Sequence, residues 1–158
     1  MDLISMAALK PAGATFTDEY WEKVVLLLNQ QNVDAQQNQS FDDESTSNHT
    51  ITTNGDATQG TFSPFSPNGW SLYKDTSGFL SVTHDASLDV SSSEFTFEFW
   101  VFPTEDYKVG DGLLSKRLNG GVVSGVLVYF ASAGLTPSLL VSVNGSTWSI
   151  NTASTESL

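Results

Sequence analysis

The sequence predicts an all-β protein, and three observations carry that prediction. Glu94-Phe95-Thr96-Phe97-Glu98-Phe99-Trp100-Val101-Phe102-Pro103 alternates throughout, with Phe95, Phe97, Phe99 and Val101 on one side and Thr96, Glu98, Trp100 and Phe102 on the other. Successive side chains leave a strand on opposite faces, so a period of two means a strand. Short β-branched and aromatic runs recur every 8–12 residues or so, separated by Gly, Pro and Asn turns, as in sandwiches and barrels. Helical spacing is almost absent. The alternating stretch is expected to be the central strand of a sheet. Its three phenylalanines can bury about 150–250 Å² each. At about 25 cal/mol/Å² that is on the order of 12–18 kcal/mol before entropy, an upper bound for one strand. Pro103 ends the strand, because it has no N–H to give a ladder.

In chain order, residues 1–16 are small, mixed and Pro/Gly-punctuated, and read as an extended arm outside the core. Four aliphatic side chains nevertheless crowd into it: Leu3, Ile4, Met6 and Leu9. Thr17-Asp18-Glu19 offers an N-cap and an acidic first turn, with Tyr20 to Val24 completing one helical turn. Val24-Val25-Leu26-Leu27-Leu28 fits a strand buried on both faces, or part of a helix over 17–32; periodicity does not separate them. Residues 29–40, nearly all Asn and Gln, read as a mobile loop. His49-Thr50-Ile51-Thr52-Thr53 reads as a strand closed by Asn54-Gly55, with 57–62 as its hairpin partner. Residues 70–75 and 79–83 form the next expected pair, turned at Thr76-Ser77-Gly78. In the connection 84–92, Leu88 and Val90 are expected to tuck inward. Strands are then expected at 113–117, 122–131 and 138–143, and Asn144-Gly145 predicts a two-residue hairpin into 147–150.

Composition excludes several function classes. The 158 residues suit one domain with a real core. A net charge of −12 leaves nothing to neutralise a row of phosphates, which disfavours nucleic acid and anionic membrane surfaces. With no cysteine there is no disulfide framework, thiolate metal site or cysteine nucleophile. No apolar run approaches a membrane span, and the first ten residues lack the basic region of a secretory signal.

The order of these features resembles the laminin-G-like jelly roll of the concanavalin A-like lectin/glucanase superfamily. The form it is similar to is the one common in tailed-bacteriophage virion and bacterial surface proteins. The matching residues are Tyr20-Trp21 with Val24-Val25-Leu26-Leu27-Leu28, then Ser45 with His49-Thr50-Ile51-Thr52 and Gly55. Next come Leu72-Tyr73, Asp75, Gly78, Leu80-Ser81-Val82 and Leu88-Asp89, and finally 95–101 and 113–116. The resemblance covers roughly residues 20–150. It implies an antiparallel jelly-roll β-sandwich over 17–158 behind the short N-terminal arm of 1–16. Three departures stand out. Asn29-Gln30-Gln31-Asn32 replaces a hydrophobic-Asp-Gly turn, Lys74 replaces an aromatic residue, and the family's closing strands would lie beyond Leu158. Such a truncation would expose a sheet edge, so the natural chain is expected to continue.

Each chemical motif has a plainer alternative. Glu94-x-Thr96-x-Glu98 resembles the carboxylate strand of the superfamily's β-glucanases, whose retaining mechanism needs two carboxyls about 5–5.5 Å apart. Thr96 stands where the helper Asp would be, so a solvated strand face is the expected role. Asp42-Asp43-Glu44, Asp56, Asp75 and Asp85 fall in predicted loops and could ligate calcium through oxygen, but without EF-hand spacing. No metal or other cofactor is expected. His49 and His84 would need an activated serine to act in a triad, and Gly121-Val122-Val123-Ser124-Gly125 does not have nucleophile-elbow spacing. Gly110-Asp111-Gly112 reads as a turn. Trp70, Trp100 and Trp148 are the candidate platforms for a sugar ring. Asn48-His49-Thr50 and Asn144-Gly145-Ser146 are glycosylation sequons by pattern only.

The resemblance therefore implies a non-enzymatic structural protein of a tailed-phage virion, a tail, fibre or capsid-decoration component. Its partners would be other virion proteins, further copies of itself and a host-surface glycan, with the arm residues Leu3, Ile4, Met6 and Leu9 serving assembly. The alternative is a secreted carbohydrate-binding protein or glucanase-like glycoside hydrolase, which the lack of an export signal disfavours.

Overall fold

The computed structural model describes residues 2–4, 19–28, 37–61, 63, 69–74, 77–90, 94–103, 110, 112–116, 125–131 and 135–156. Among them are ten strands and two short 3-10 turns, Trp21–Lys23 and Ala86–Leu88. The protein is all-β. The chain divides into two compact units, Met1–Leu88 with Glu94–Val101, and Asp89–Ser93 with Phe102–Leu158.

The first unit holds β1 (Asp2–Ile4), β2 (Ile51–Asn54), β3 (Thr58–Gly60), β4 (Ser71–Tyr73), β5 (Phe79–Val82) and β6 (Phe95–Phe97). β2 pairs antiparallel with β5, and β3 with β4. The outgoing limb β2–β3 is thus matched by the returning limb β4–β5, a nested two-stranded ribbon. The sequence pointed instead to two successive hairpins, 49–53 with 57–62 and 70–75 with 79–83. The backbone explains the correction. A two-residue Asn-Gly hairpin needs positive φ at both residues, and here only Gly55 has it, at 62°. The chain therefore bends at Gly55 and carries on rather than reversing. At that bend the two limbs meet backbone to backbone. A Cβ on Gly78 would sit 2.6 Å from the Ala57 nitrogen, and one on Gly55 would collide with the Ser77 carbonyl. Only glycine fits either position.

Trp21–Lys23 makes the single turn expected there, and Val24 leaves it extended, with ψ 112°. Among the described residues 19–28 the helix expected over 17–32 is not formed. Val24 and Leu27 are buried, together with Phe41 and Ala57. Of the Asn/Gln-rich stretch, residues 37–40 form a loop, as expected, held by hydrogen bonds to β2 and β3, and 29–36 lie outside the described residues. The Asn38 carbonyl accepts from Gln59 N–H at 2.7 Å and from Thr58 Oγ1 at 2.8 Å. Thr53 Oγ1 donates to the Gln39 carbonyl at 2.7 Å. The buried Gln59 amide donates to Asn38 Oδ1 and to the Ser40 carbonyl.

The expected central strand is corrected most. Only Phe95–Phe97 is strand, and its partner is β1, in parallel, with Asp2 opposite Phe95 and Ile4 opposite Phe97. A three-residue partner can order only three residues, so the alternation beyond Phe97 finds no ladder there. Phe99 is 39% exposed and Trp100 66%. Asp2–Ile4, read from the sequence as an arm apart from the core, are extended as expected but paired within the unit.

The second unit holds β7 (Gly112–Lys116), β8 (Gly125–Phe130), β9 (Pro137–Ser142) and β10 (Ile150–Ala153), in one antiparallel sheet of order β10-β9-β8-β7. The expected strands over 113–117, 122–131 and 138–143 are these, within a few residues. Val126, Val128 and Phe130 share one face with Val141 of β9, and all four are buried. The opposite face is also covered along β9, where Ser138 and Ser142 are buried. Lys116 pairs with Asp89. The strand after Asn144-Gly145 starts at Ile150, so the connection is not a two-residue hairpin; again only the glycine has positive φ, 72°. All four residues of β10 are exposed. Among the described residues no helix is long and apolar enough to cross a membrane.

Candidate functional site

The polar groups best organised by the fold converge on the Asp43 carboxylate in the first unit. Asp43 is only 4% exposed. Oδ1 accepts the N–H of Leu27 and of Ser45, each at 2.9 Å. Oδ2 accepts the Ser45 hydroxyl at 2.9 Å and the His49 N–H at 2.8 Å. Leu27 returns a bond, its carbonyl accepting Glu44 N–H at 2.9 Å. Leu27, in the apolar segment 24–28, therefore has both its N–H and its carbonyl satisfied by an acidic turn. Ser45 Oγ accepts Ser47 N–H at 3.2 Å, and Asn48 turns the chain with φ 48°. Asn tolerates that region better than most residues.

Burial opposes ionisation of Asp43, but the bonds from Leu27, His49 and Ser45 outweigh it and hold the carboxyl below its ordinary value. A carboxyl depressed on folding contributes stability above its unfolded pKa, about 3.9, and loses it as pH falls through the lower folded value. Urea midpoints of the parent and of Asp43→Asn are therefore expected to differ most near neutrality. The gap should narrow as the pH drops below about 4. A gap independent of pH would show that the charge contributes nothing.

His49 connects this centre to the turn after β5. Its Nε2 lies 3.3 Å from Ser87 Oγ. Asp85 Oδ1 accepts Ser87 N–H at 2.8 Å, and the Asp85 carbonyl accepts Leu88 N–H at 3.1 Å. The Ser87 N–H and hydroxyl, with smaller contributions from His49 and His84, hold the Asp85 carboxyl below its usual range. Ser, His and Asp thus come together, which the sequence did not reveal because Ser87 lies in no elbow motif. The order differs from that of a nucleophile. In a triad the acid orients the histidine from its other nitrogen, whereas Asp85 bonds Ser87 itself. The group caps a 3-10 turn.

The other candidates are dispersed. Glu94 and Glu98 flank β6 rather than alternating along one strand, and both are exposed. Of the acidic loop residues, Asp42, Glu44 and Asp56 are exposed while Asp43 is committed to backbone N–H groups; Asp75 lies outside the described residues. Among the described residues no three His, Asp or Glu side chains gather as a metal site. Trp70 and Trp148 are half-buried and Trp100 is mostly exposed. Leu3 and Ile4 lie in β1, while Met6 and Leu9 lie outside the described residues. No family model, curated protein or solved structure matches the chain.

Proposed function

We propose that the chain is a non-enzymatic structural protein of a tailed-phage virion, built on a jelly-roll sandwich and contacting a host-surface glycan. The observation that carries the reading is the nested β2–β3/β4–β5 ribbon bent at Gly55 and Gly78. A jelly roll is wound from such a doubled ribbon, and its two halves become facing sheets at the bends. Gly55 and Gly78 at the bend are among the residues that resemble lectin-like domains. The chemistry of the first unit agrees with a binding role. Its buried carboxylate and its Ser-His-Asp group hold backbone, while Trp100, its most exposed tryptophan, is 66% exposed. An exposed indole is suited to stacking on a sugar face.

Antibody against the chain is expected to label particles released by lysis, and the purified protein to be retained on host-surface polysaccharide. Trp100→Ala should abolish retention and Trp148→Ala should leave it. Particles free of the chain would refute the virion assignment. Release of reducing sugar from β-glucans that disappears in Glu94→Gln/Glu98→Gln would make it a hydrolase instead.

A further inference from the structure

Asn-Gly occurs four times in the chain, at Asn54-Gly55, Asn68-Gly69, Asn119-Gly120 and Asn144-Gly145. Asn68 and Asn119 lie outside the described residues. A glycine after asparagine leaves its backbone nitrogen least hindered for attack on the preceding side-chain carbonyl, because it has no Cβ. The geometry points to Asn144 as a self-modifying site. It converts to aspartate and isoaspartate through a cyclic succinimide, with the Ser142 and Thr147 hydroxyls carrying the protons.

The turn between β9 and β10 gathers around the Asn144 side chain the hydroxyls and backbone donors that can carry the protons and hold the oxygen. The attacking nitrogen, Gly145 N, donates its hydrogen to Ser142 Oγ at 3.1 Å. Ser142 Oγ in turn lies 3.4 Å from Asn144 Oδ1. That oxygen is held by the N–H groups of Ser146 and Thr147 at 2.9 and 3.0 Å. Two backbone donors on a carbonyl oxygen are the arrangement that stabilises charge as a tetrahedral centre forms. The leaving nitrogen, Asn144 Nδ2, is 3.0 Å from Thr147 Oγ1, which also lies 3.4 Å from Oδ1. Ser142 is buried and so holds its hydroxyl in place, while Asn144 is exposed to water.

The steps balance without an outside reagent other than water. Gly145 N bonds to the Asn144 side-chain carbon as its proton passes to Ser142 Oγ, whose own proton passes to Oδ1. Thr147 Oγ1 then takes the Oδ1 proton and gives its own to Nδ2. The carbon–nitrogen bond to Nδ2 breaks, and ammonia leaves. Water opens the succinimide at either carbonyl, giving aspartate or isoaspartate, and each event adds one negative charge.

Asn54 is the internal contrast. Its Nδ2 is committed to the Thr52 carbonyl at 3.1 Å and to Ser81 Oγ at 2.9 Å, and its backbone is held in the β2–β5 ladder opposite Phe79. The test is to incubate the purified full chain at neutral pH, folded and in urea, and follow each Asn-Gly peptide by mass spectrometry. In the folded chain Asn144 should convert roughly tenfold faster than Asn54, and roughly tenfold faster than Asn144 in urea, because the fold holds the Ser142 and Thr147 hydroxyls and two backbone donors on its side chain. Ser142→Ala and Thr147→Val should each slow the folded rate about tenfold and leave the urea rate alone. Thr147 is exposed, so its variant keeps the fold if Ser142→Ala does not. A folded rate at or below the urea rate would overturn the proposal, as would a Thr147→Val rate equal to the parent's.

Discussion

Replacing Asp43 by alanine is expected to cost about 3–5 kcal/mol, one of the two largest single-residue effects expected among the described residues. The side chain is 4% exposed and accepts four hydrogen bonds, three of them from backbone N–H groups. A hydrogen bond to a charged group contributes about 1.5–3 kcal/mol, and these four are not additive because they share one carboxylate. The larger consequence is what remains behind. The N–H of buried Leu27 would lose its acceptor in a place where water reaches poorly, and such an orphan costs free energy of its own. Asp43→Asn keeps the shape but presents an NH₂ where one of the carboxylate oxygens accepted, so it should recover only part of the loss. Urea midpoints give the magnitudes, and amide exchange gives the location. Leu27 and His49 N–H should lose protection together in Asp43→Ala. Fast exchange confined to one of them would mean that the segments 24–28 and 41–49 are not joined through this carboxylate.

The β-strand content was legible because alternation and turn residues report directly on the backbone. β7, β8 and β9 lie close to where the sequence put them. Pairing was less legible, since the signal for a hairpin is its turn and the Asn-Gly pairs are used here for a bend and an Asx turn. The first depends on Gly78 standing opposite Gly55, and the second on Asn144 finding Ser146 and Thr147 N–H within reach. Both are contacts that a linear pattern does not contain. Asp43 was visible only as one of three consecutive acids, with nothing to separate it from its exposed neighbours Asp42 and Glu44. One clue was available. If residues 24–28 are read as a strand rather than as part of a helix, their N–H groups need acceptors from elsewhere, and Asp43-Glu44-Ser45 is a turn able to give and take them.

Phe130→Ala is expected to cost about 3–5 kcal/mol, and Phe97→Ala clearly less, about 1–2 kcal/mol. The sequence alone would rank them the other way, since Phe97 sits at the centre of the longest alternating stretch. Exposure decides the order. Phe130 is 0% exposed, on the β8 face shared with Val126, Val128 and Val141, while Phe97 is only half-buried in a three-residue strand. Deleting a fully enclosed ring removes its transfer free energy and also leaves a cavity that its neighbours cannot fill without distorting the ladder. A half-covered ring leaves a dent that water fills, so the cavity contribution falls away. Phe130 is further fixed by its backbone, whose carbonyl accepts Gly110 N–H at 2.7 Å, which limits how far the site can collapse. Residues 126–130 carried a sign of this in the sequence. Val126, Val128 and Phe130 alternate with Leu127 and Tyr129, so neither face bears a charge, as suits a strand covered on both sides. Residues 95–101 have Glu98 on the second face. Comparable urea midpoint shifts for Phe130→Ala and Phe97→Ala would mean that β6 is packed as a core strand after all and that the second unit's sheet does not hold the most tightly enclosed ring.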